Sequence, residues 1–153
     1  MDSAYVLEQI KSYYLEHIPF NKVLGIDIDY LDYETAEAVT RFSMEDKLIG
    51  NSVVGILHGG VTASVIDLTG GLSGLIACVK FHEDVDEESL YEKLTAMGTV
   101  DMRVDYLRPG KGSEFVCKSR LIRAGSRIVV AKIDLFNEKE IRIATGTATY
   151  IMK

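Results

Sequence analysis

Between Val61 and Val79 the chain carries only two ionisable side chains, Asp67 and the thiol of Cys78. An apolar run of about 20 residues is either a membrane span or a helix enclosed by protein. The residues favour the enclosed helix. Gly70, Gly71 and Gly74, the hydroxyls of Thr62, Ser64, Thr69 and Ser73, and a carboxylate make a weak insertion signal. Alternating segments lie on both sides and suggest a sheet able to wrap it. A helix glycine costs roughly 1 kcal/mol relative to alanine, so three together imply that another backbone comes close to that face. Burying an ionised carboxylate alone costs several kcal/mol, so Asp67 is expected to be hydrogen-bonded, raised in pKa, or facing a wet cavity.

The entry to this helix is His58-Gly59-Gly60, reached through a short loop containing Asn51 and Gly55. Read plainly, it is a helix start with two flexible residues, and Asp67 is a satisfied helix aspartate. Gly-Gly at a helix start also leaves bare N–H groups at the positive end of the dipole, where an oxyanion or polarised carbonyl can dock. An aspartate seven residues after the second glycine, inside an otherwise apolar helix, makes the pattern far more specific.

That pattern, H-G-G-x6-D, together with TVDMRVDYLRPG and RAGSRIVVAKIDLFN further on, resembles the hotdog-fold thioesterases of the PaaI-like and acyl-CoA thioesterase 13 types over about residues 19–152. The resemblance implies an α+β hotdog fold, a sheet wrapped round one long helix, and a homodimer (or dimer of dimers) with active sites shared between subunits. It implies hydrolysis of a medium- or long-chain fatty acyl-CoA, or an aryl-acyl-CoA, to free acid and CoA. Coenzyme A would enter as part of the substrate, with no separate cofactor. Helix geometry agrees with a shared site: Gly59 and Asp67 are eight residues apart, or ~12 Å along one axis. Two antiparallel copies related by a twofold axis could bring one chain's Gly59 near the other's Asp67.

Thioester hydrolysis needs a clamp for the carbonyl oxygen, a nucleophile or activated water, and an anchor for the thiol carrier. The Gly59 and Gly60 amides suit the clamp. Asp67 suits a general base or a direct nucleophile. His58 and Asn51 match the family's polar residues beside the thioester, although Asn51 stands seven rather than six residues before the histidine. Thr99 matches the family's water-holding hydroxyl. Strict alternation, however, places Thr99 with Asp101 and Arg103, away from the apolar face, so its role requires an irregular strand start or cover from a partner subunit. For CoA phosphates the matching segment is Arg123, Gly125, Ser126 and Arg127, with Arg108 and Lys111 as further cations; the plain alternative is a hairpin whose turn is basic.

The remaining sequence reads as one domain over residues 1–153. Asp2 to Ile18 is amphipathic, with Val6, Leu7, Ile10, Tyr14 and Ile18 on one face, and reads as a helix ended by Pro19 that lies across the sheet edge or the mouth of the substrate channel, or simply packs there. Leu24, Ile26, Ile28 and Tyr30 alternate as the buried face of a strand, and residues 34–44 form its hairpin partner. A plain loop over residues 45–50 then crosses to the central helix. Residues 81–98 are an acidic connection with a short helix near residues 87–94, a solvated link or, less simply, a partner-docking surface. Four strands follow in a meander: residues 99–107, with Val100, Met102, Val104 and Tyr106 on the apolar face, then 114–123, 127–136 and 141–152.

Charge and composition exclude other classes. The net charge of −6 divides into −11 over residues 1–97 and +5 over residues 98–153. An acidic whole without an aromatic-basic stripe argues against nucleic-acid binding, while the basic half suits a phosphorylated ligand. His17, His58 and His82 form no ligand cluster, so no metal is expected. Cys78 and Cys117 read as reduced core thiols of a cytoplasmic protein, with no leader at the N-terminus and no membrane span. Two other readings stay open: a hotdog hydratase or dehydratase, for which no His-x4-Pro-type segment is present, and a non-catalytic acyl-thioester-binding protein, against which Asp67 speaks.

Overall fold

The computed structural model describes residues 2–82 and 86–152. Residues 83–85 of the acidic connection lie outside the described residues. The Asp2 carboxylate accepts from the Ala4 amide and caps α1 (Ser3–Ser12), which buries Val6 and Ile10. The helix does not continue regularly to Ile18. It loosens into a π turn over Tyr13–His17, breaks at an extended Ile18, and restarts as α2 (Pro19–Leu24), closed by Gly25 at φ +66°. Pro19 thus opens a helix instead of ending one, because a missing N–H costs nothing at the first helical position. Val23 and Leu24 are consequently helical, and β1 (Asp27–Leu31) starts later than alternation suggests.

Strand β1 pairs with β2 (Ala38–Ser43), and a register shift between Ile28 and Tyr30 turns Tyr30 outward, leaving it 49% exposed. Alternation over residues 34–37 is not strand pairing, since Ala36 has φ +56°. The expected loop over residues 45–50 holds a 3-10 turn (Asp46–Leu48) and runs into a small hairpin, β3 (Ile49–Asn51) with β4 (Ile56–Leu57). The hairpin delivers the chain to α3 (Gly59–Phe81). In the acidic connection, α4 (Glu87–Ala96) begins with a capping box in which Asp86 and Ser89 satisfy each other's amides.

The last strands are β5 (Met97–Tyr106), β6 (Glu114–Ala124), β7 (Ile128–Asn137) and β8 (Arg142–Met152). They do not form a simple meander. The antiparallel sheet has the order β1-β2-β6-β7-β8-β5, so β5 pairs with β8 while β6 lies beside β2. β5 and β1 are the two edges, and α3 lies against the inner face, completing the expected hotdog arrangement.

Complementary sizes let the helix dock. β7 and β8 point Ala131, Ala144, Gly146 and Ala148 inward, and a Cβ at Gly146 would lie 2.5 Å from Ile66 Cγ2. The helix in turn places Gly70 under Tyr150 and Ile133, and Gly71 under the Tyr14 hydroxyl and Met97. Side chains, not a neighbouring backbone, fill the glycine face. Val65, Ile66, Leu72, Leu75, Ile76 and Val79 are all buried, each contributing about 1.5–3 kcal/mol. Thr69 and Thr40 satisfy one another at 2.7 Å. Among the described residues α3 is the helix long and apolar enough to cross a membrane, and 78% of its apolar window is buried within the protein.

Alanine is the better helix former, yet Gly70→Ala drives a methyl into Tyr150. We expect it to lower unfolding free energy by about 1–3 kcal/mol in denaturant titrations, despite the roughly 1 kcal/mol propensity gain.

Candidate active site

His58 caps α3 with its side chain. Its Nδ1 accepts the Gly60 N–H at 2.8 Å, while its backbone carbonyl accepts from Val61 and Thr62. A ring nitrogen that accepts has its proton on the other nitrogen, so neutral His58 presents Nε2–H outward. The Gly60 amide, expected in the clamp with Gly59, is thereby occupied inside the chain. A Cβ at Gly60 would stand 2.9 Å from His58 Nδ1, so this glycine permits the cap. The Gly59 N–H has no intrahelical acceptor and remains the donor at the helix start. Tyr106 reaches back from β5 and donates its hydroxyl to the Gly59 carbonyl at 2.7 Å.

Asp67 lies two turns further along α3. Thr99 Oγ1 donates to Asp67 Oδ1 at 2.8 Å, and the Tyr150 hydroxyl donates to the Asp67 backbone carbonyl at 2.8 Å. The Thr99 contact exists because β5 slips register against β8 between Thr99 and Asp101. The bulge lets Thr99 face the helix and leaves Val100 59% exposed. Val100 therefore leaves the expected apolar face, whereas Tyr106 at the far end of β5 keeps the helix side, its ring against Gly59, although it is 56% exposed. Burial pushes the Asp67 carboxyl above the ordinary range, and the Thr99 hydrogen bond pulls it partly back. Both thiols are buried, and burial raises Cys117 to about 12, so neither is poised as a nucleophile.

Asp67 and Thr99 share a cleft of about 280 Å3 with Ser64, Leu68, Gly71 and Met97, walled by Tyr14, Ile18, Phe20 and Asn21. Gly59 opens into a different cleft, of about 380 Å3, with Leu57, Thr62, Tyr106 and Arg108. One chain therefore holds the clamp and the carboxylate apart. Arg108 also lines an adjoining basin of about 590 Å3 with Lys111 and Lys139. Arg123, Gly125, Ser126 and Arg127 form the β6–β7 turn at the opposite end of the sheet, where Ile128 pairs with Ile151 and Ile151 with Gly98. The two cation sets are thus separated by the length of β7, about 30 Å.

Asn51 lies in the β3–β4 hairpin, where its Oδ1 accepts the Val53 amide at 3.0 Å. Its seven-residue distance from His58 is absorbed by a bulge between Ile49 and Asn51, and Gly50 packs directly on the His58 backbone. Sequence reasoning missed Tyr150 and Tyr106, and of the wall it expected only Tyr14 and Ile18, on a helix set at the channel mouth, without Phe20 and Asn21. A signal for Tyr150 existed: it is the aromatic that follows Ala144, Gly146 and Ala148 on the inward β8 face, opposite helix glycines. Among the described residues no three His, Cys, Asp or Glu side chains gather as a metal site.

Because the Thr99 hydroxyl lowers the Asp67 pKa, Thr99→Val should move the Asp67 titration further up. Carboxyl-carbon NMR against pH measures this, and an unchanged midpoint would mean the hydrogen bond is not formed in solution.

Comparison with known proteins agrees with the geometry. Residues 54–144, spanning the helix and most of the late strands, match the family described as the thioesterase superfamily. The chain is 40% identical over 146 residues to the medium/long-chain acyl-CoA thioesterase YigI of Escherichia coli strain K12, covering 95% of this chain and 93% of that protein. The Salmonella typhimurium protein of the same description is 41% identical over the same shares. A crystal structure from Shewanella oneidensis related to the thioesterase superfamily superposes with a TM-score of 0.91 at 42% identity, covering 98% of this chain and 97% of that one. The PaaI protein of Escherichia coli shares the fold at a TM-score of 0.76 and 18% identity, covering 99% and 96%. With its central helix and its bulged edge strand inside the matched region, and with relatives of about 40% identity over nearly its whole length, the chain belongs to the thioesterase superfamily.

Proposed function

We propose that the protein hydrolyses medium- or long-chain fatty acyl-CoA to free acid and CoA, at sites each built from two antiparallel copies of the chain. The observation that carries this is the pairing of a half-buried, pKa-raised Asp67 with Thr99 in one cleft, while the free Gly59 amide opens into another. The relatives named as medium/long-chain acyl-CoA thioesterases support the substrate class; an aryl-acyl-CoA is tested by including one in the substrate series.

In this reading two β5 edges pair about a twofold axis. The Tyr106 end of one strand then meets the Met97 end of the other, and the first chain's Gly59 comes to the second chain's Asp67. The same operation carries the partner's β6–β7 turn to the end that holds Arg108 and Lys111. Two cation sets that lie apart in one chain thereby flank one site, as the several phosphates of CoA require. Two such dimers associate as a tetramer in the cytoplasm, and the reading assigns no role to a metal or to a cofactor apart from the CoA of the substrate.

The chemistry follows from the groups. The thioester oxygen rests on the Gly59 N–H, where one oxyanion donor is worth about 2.7–4 kcal/mol, with His58 Nε2–H and Asn51 beside it. Asp67 takes a proton from a water held by Thr99 as that water attacks the carbonyl carbon. Collapse of the tetrahedral intermediate breaks the C–S bond, and the proton that Asp67 took from the water passes to the departing CoA sulfur, so the thiol leaves and the carboxylate is restored.

Asp67→Asn should lower kcat by about a thousandfold without lowering Tm, since the amide keeps the Thr99 contact and sheds the burial cost of a charge. Wild-type rates in that variant would end the proposed chemistry. Mixing inactive His58→Ala and Asp67→Asn chains should restore about a quarter of the wild-type rate, because each heterodimer has one intact site of two. No recovery after mass spectrometry has verified subunit exchange would remove the shared site.

A further inference from the structure

The cleft beside Asp67 has a wall that the chemistry leaves unused. Tyr14, Ile18, Phe20 and Asn21 face Leu68 and Gly71 of α3 and Met97 of β5. The wall is irregular where it crosses the cleft. The π turn at Tyr13–His17 inserts an extra residue into the helical spiral, and Ile18 is extended at φ −106°, ψ 103°. A carbonyl in this turn needs a donor five residues on, and for Tyr14 that residue is Pro19, which has no N–H. Asn21 supplies the missing donor: its Nδ2 reaches the Tyr14 carbonyl at 3.0 Å, in a buried position. The break is therefore pinned by a specific side chain, and it re-aims Ile18 and Phe20 relative to a continuous helix. Phe20 stays 55% exposed at the cleft.

An acyl-CoA needs opposite surroundings at its two ends. The basin joined to the Gly59 cleft through Arg108 carries Lys111 and Lys139 against one carboxylate, Glu138, a net positive lining that suits the anionic carrier. The cleft at Asp67 is lined by Ile18, Phe20, Leu68 and Met97 and suits the hydrocarbon. Tyr14 closes its floor, its hydroxyl set against Gly71. We propose that the acyl chain runs from Asp67 beneath the segment between Tyr14 and Asn21, and that Ile18 and Phe20 are the specificity residues that set the accepted chain length.

This assignment rests on the thioesterase reading, and the test separates the two. Thiol release from butyryl-, octanoyl-, lauroyl- and palmitoyl-CoA is measured for the full chain, with kcat and KM resolved, in wild type, Ile18→Trp, Phe20→Ala and Val23→Ala. Ile18→Trp fills the cleft and should lower the palmitoyl-to-butyryl ratio of kcat/KM about tenfold or more. Phe20→Ala removes contact with the tail and should raise KM for lauroyl- and palmitoyl-CoA about tenfold, with little change in kcat. Val23→Ala, on the same short helix but outside the cleft, should keep the wild-type profile. Should Ile18→Trp fail to fold, the exposed Phe20→Ala decides. Length profiles parallel to wild type in folded Phe20→Ala would overturn the assignment while leaving the activity standing. Wild-type silence on every thioester would remove the activity and this assignment together.

Discussion

The structure depends on dehydrating a nearly chargeless helix without stranding its single carboxylate. The solution is an exchange of sizes between two surfaces. Small residues on β7 and β8 admit Ile66, and glycines on α3 admit Tyr150, Ile133 and Tyr14. Tyr150 acts twice, filling the glycine face with its ring and binding the Asp67 carbonyl with its hydroxyl. The contact that seats the helix on the sheet also fixes where Asp67 emerges. Packing and chemistry thus share one residue, and a change to either surface is felt at the carboxylate.

Thr99 shows what period-two alternation can and cannot convey. The strand around it was legible, and so was the need for an irregular start if Thr99 was to reach Asp67. The bulge itself was not, because an extra residue in one strand is defined by its partner, and the partner β8 lies some fifty residues away. The same limit applies to Tyr30, turned out by a slip against β2, and to the strand order, where β5 chose β8 over its sequence neighbour β6. The H-G-G entry, the long helix, the six main strands and Asp67 were readable because each is encoded locally. Pro19 was misread for a local reason: it is compatible with both the end of one helix and the first residue of the next, and only Asn21, bonding back to Tyr14, distinguishes the two.

The division of site residues within one chain follows from helix rise and not from any defect of folding. Gly59 must stand at the helix start, where backbone N–H groups are free, while Asp67 must stand deep enough to be desolvated. Two turns of helix separate those environments, and no rotamer spans about 12 Å. The proposed antiparallel pairing answers this, because a single twofold axis would join both separated pairs at once: Gly59 with Asp67, and one basic end with the other.

Asp67 also sets the sign of a trade between stability and function. Its folded pKa is raised, so the folded state disfavours the ionised form. The cost is absent below the unfolded-state pKa of about 3.9, grows as pH rises through the interval to the folded value, and is constant above it. The protein is therefore carrying the full cost wherever the carboxylate is charged and able to accept a proton. Thr99 moderates the penalty by donating one hydrogen bond, and donating only one leaves the second carboxylate oxygen free for water. Under the proposed chemistry a fully satisfied Asp67 would make a more stable helix and a weaker base, so its incomplete hydrogen bonding serves that role as much as its burial does.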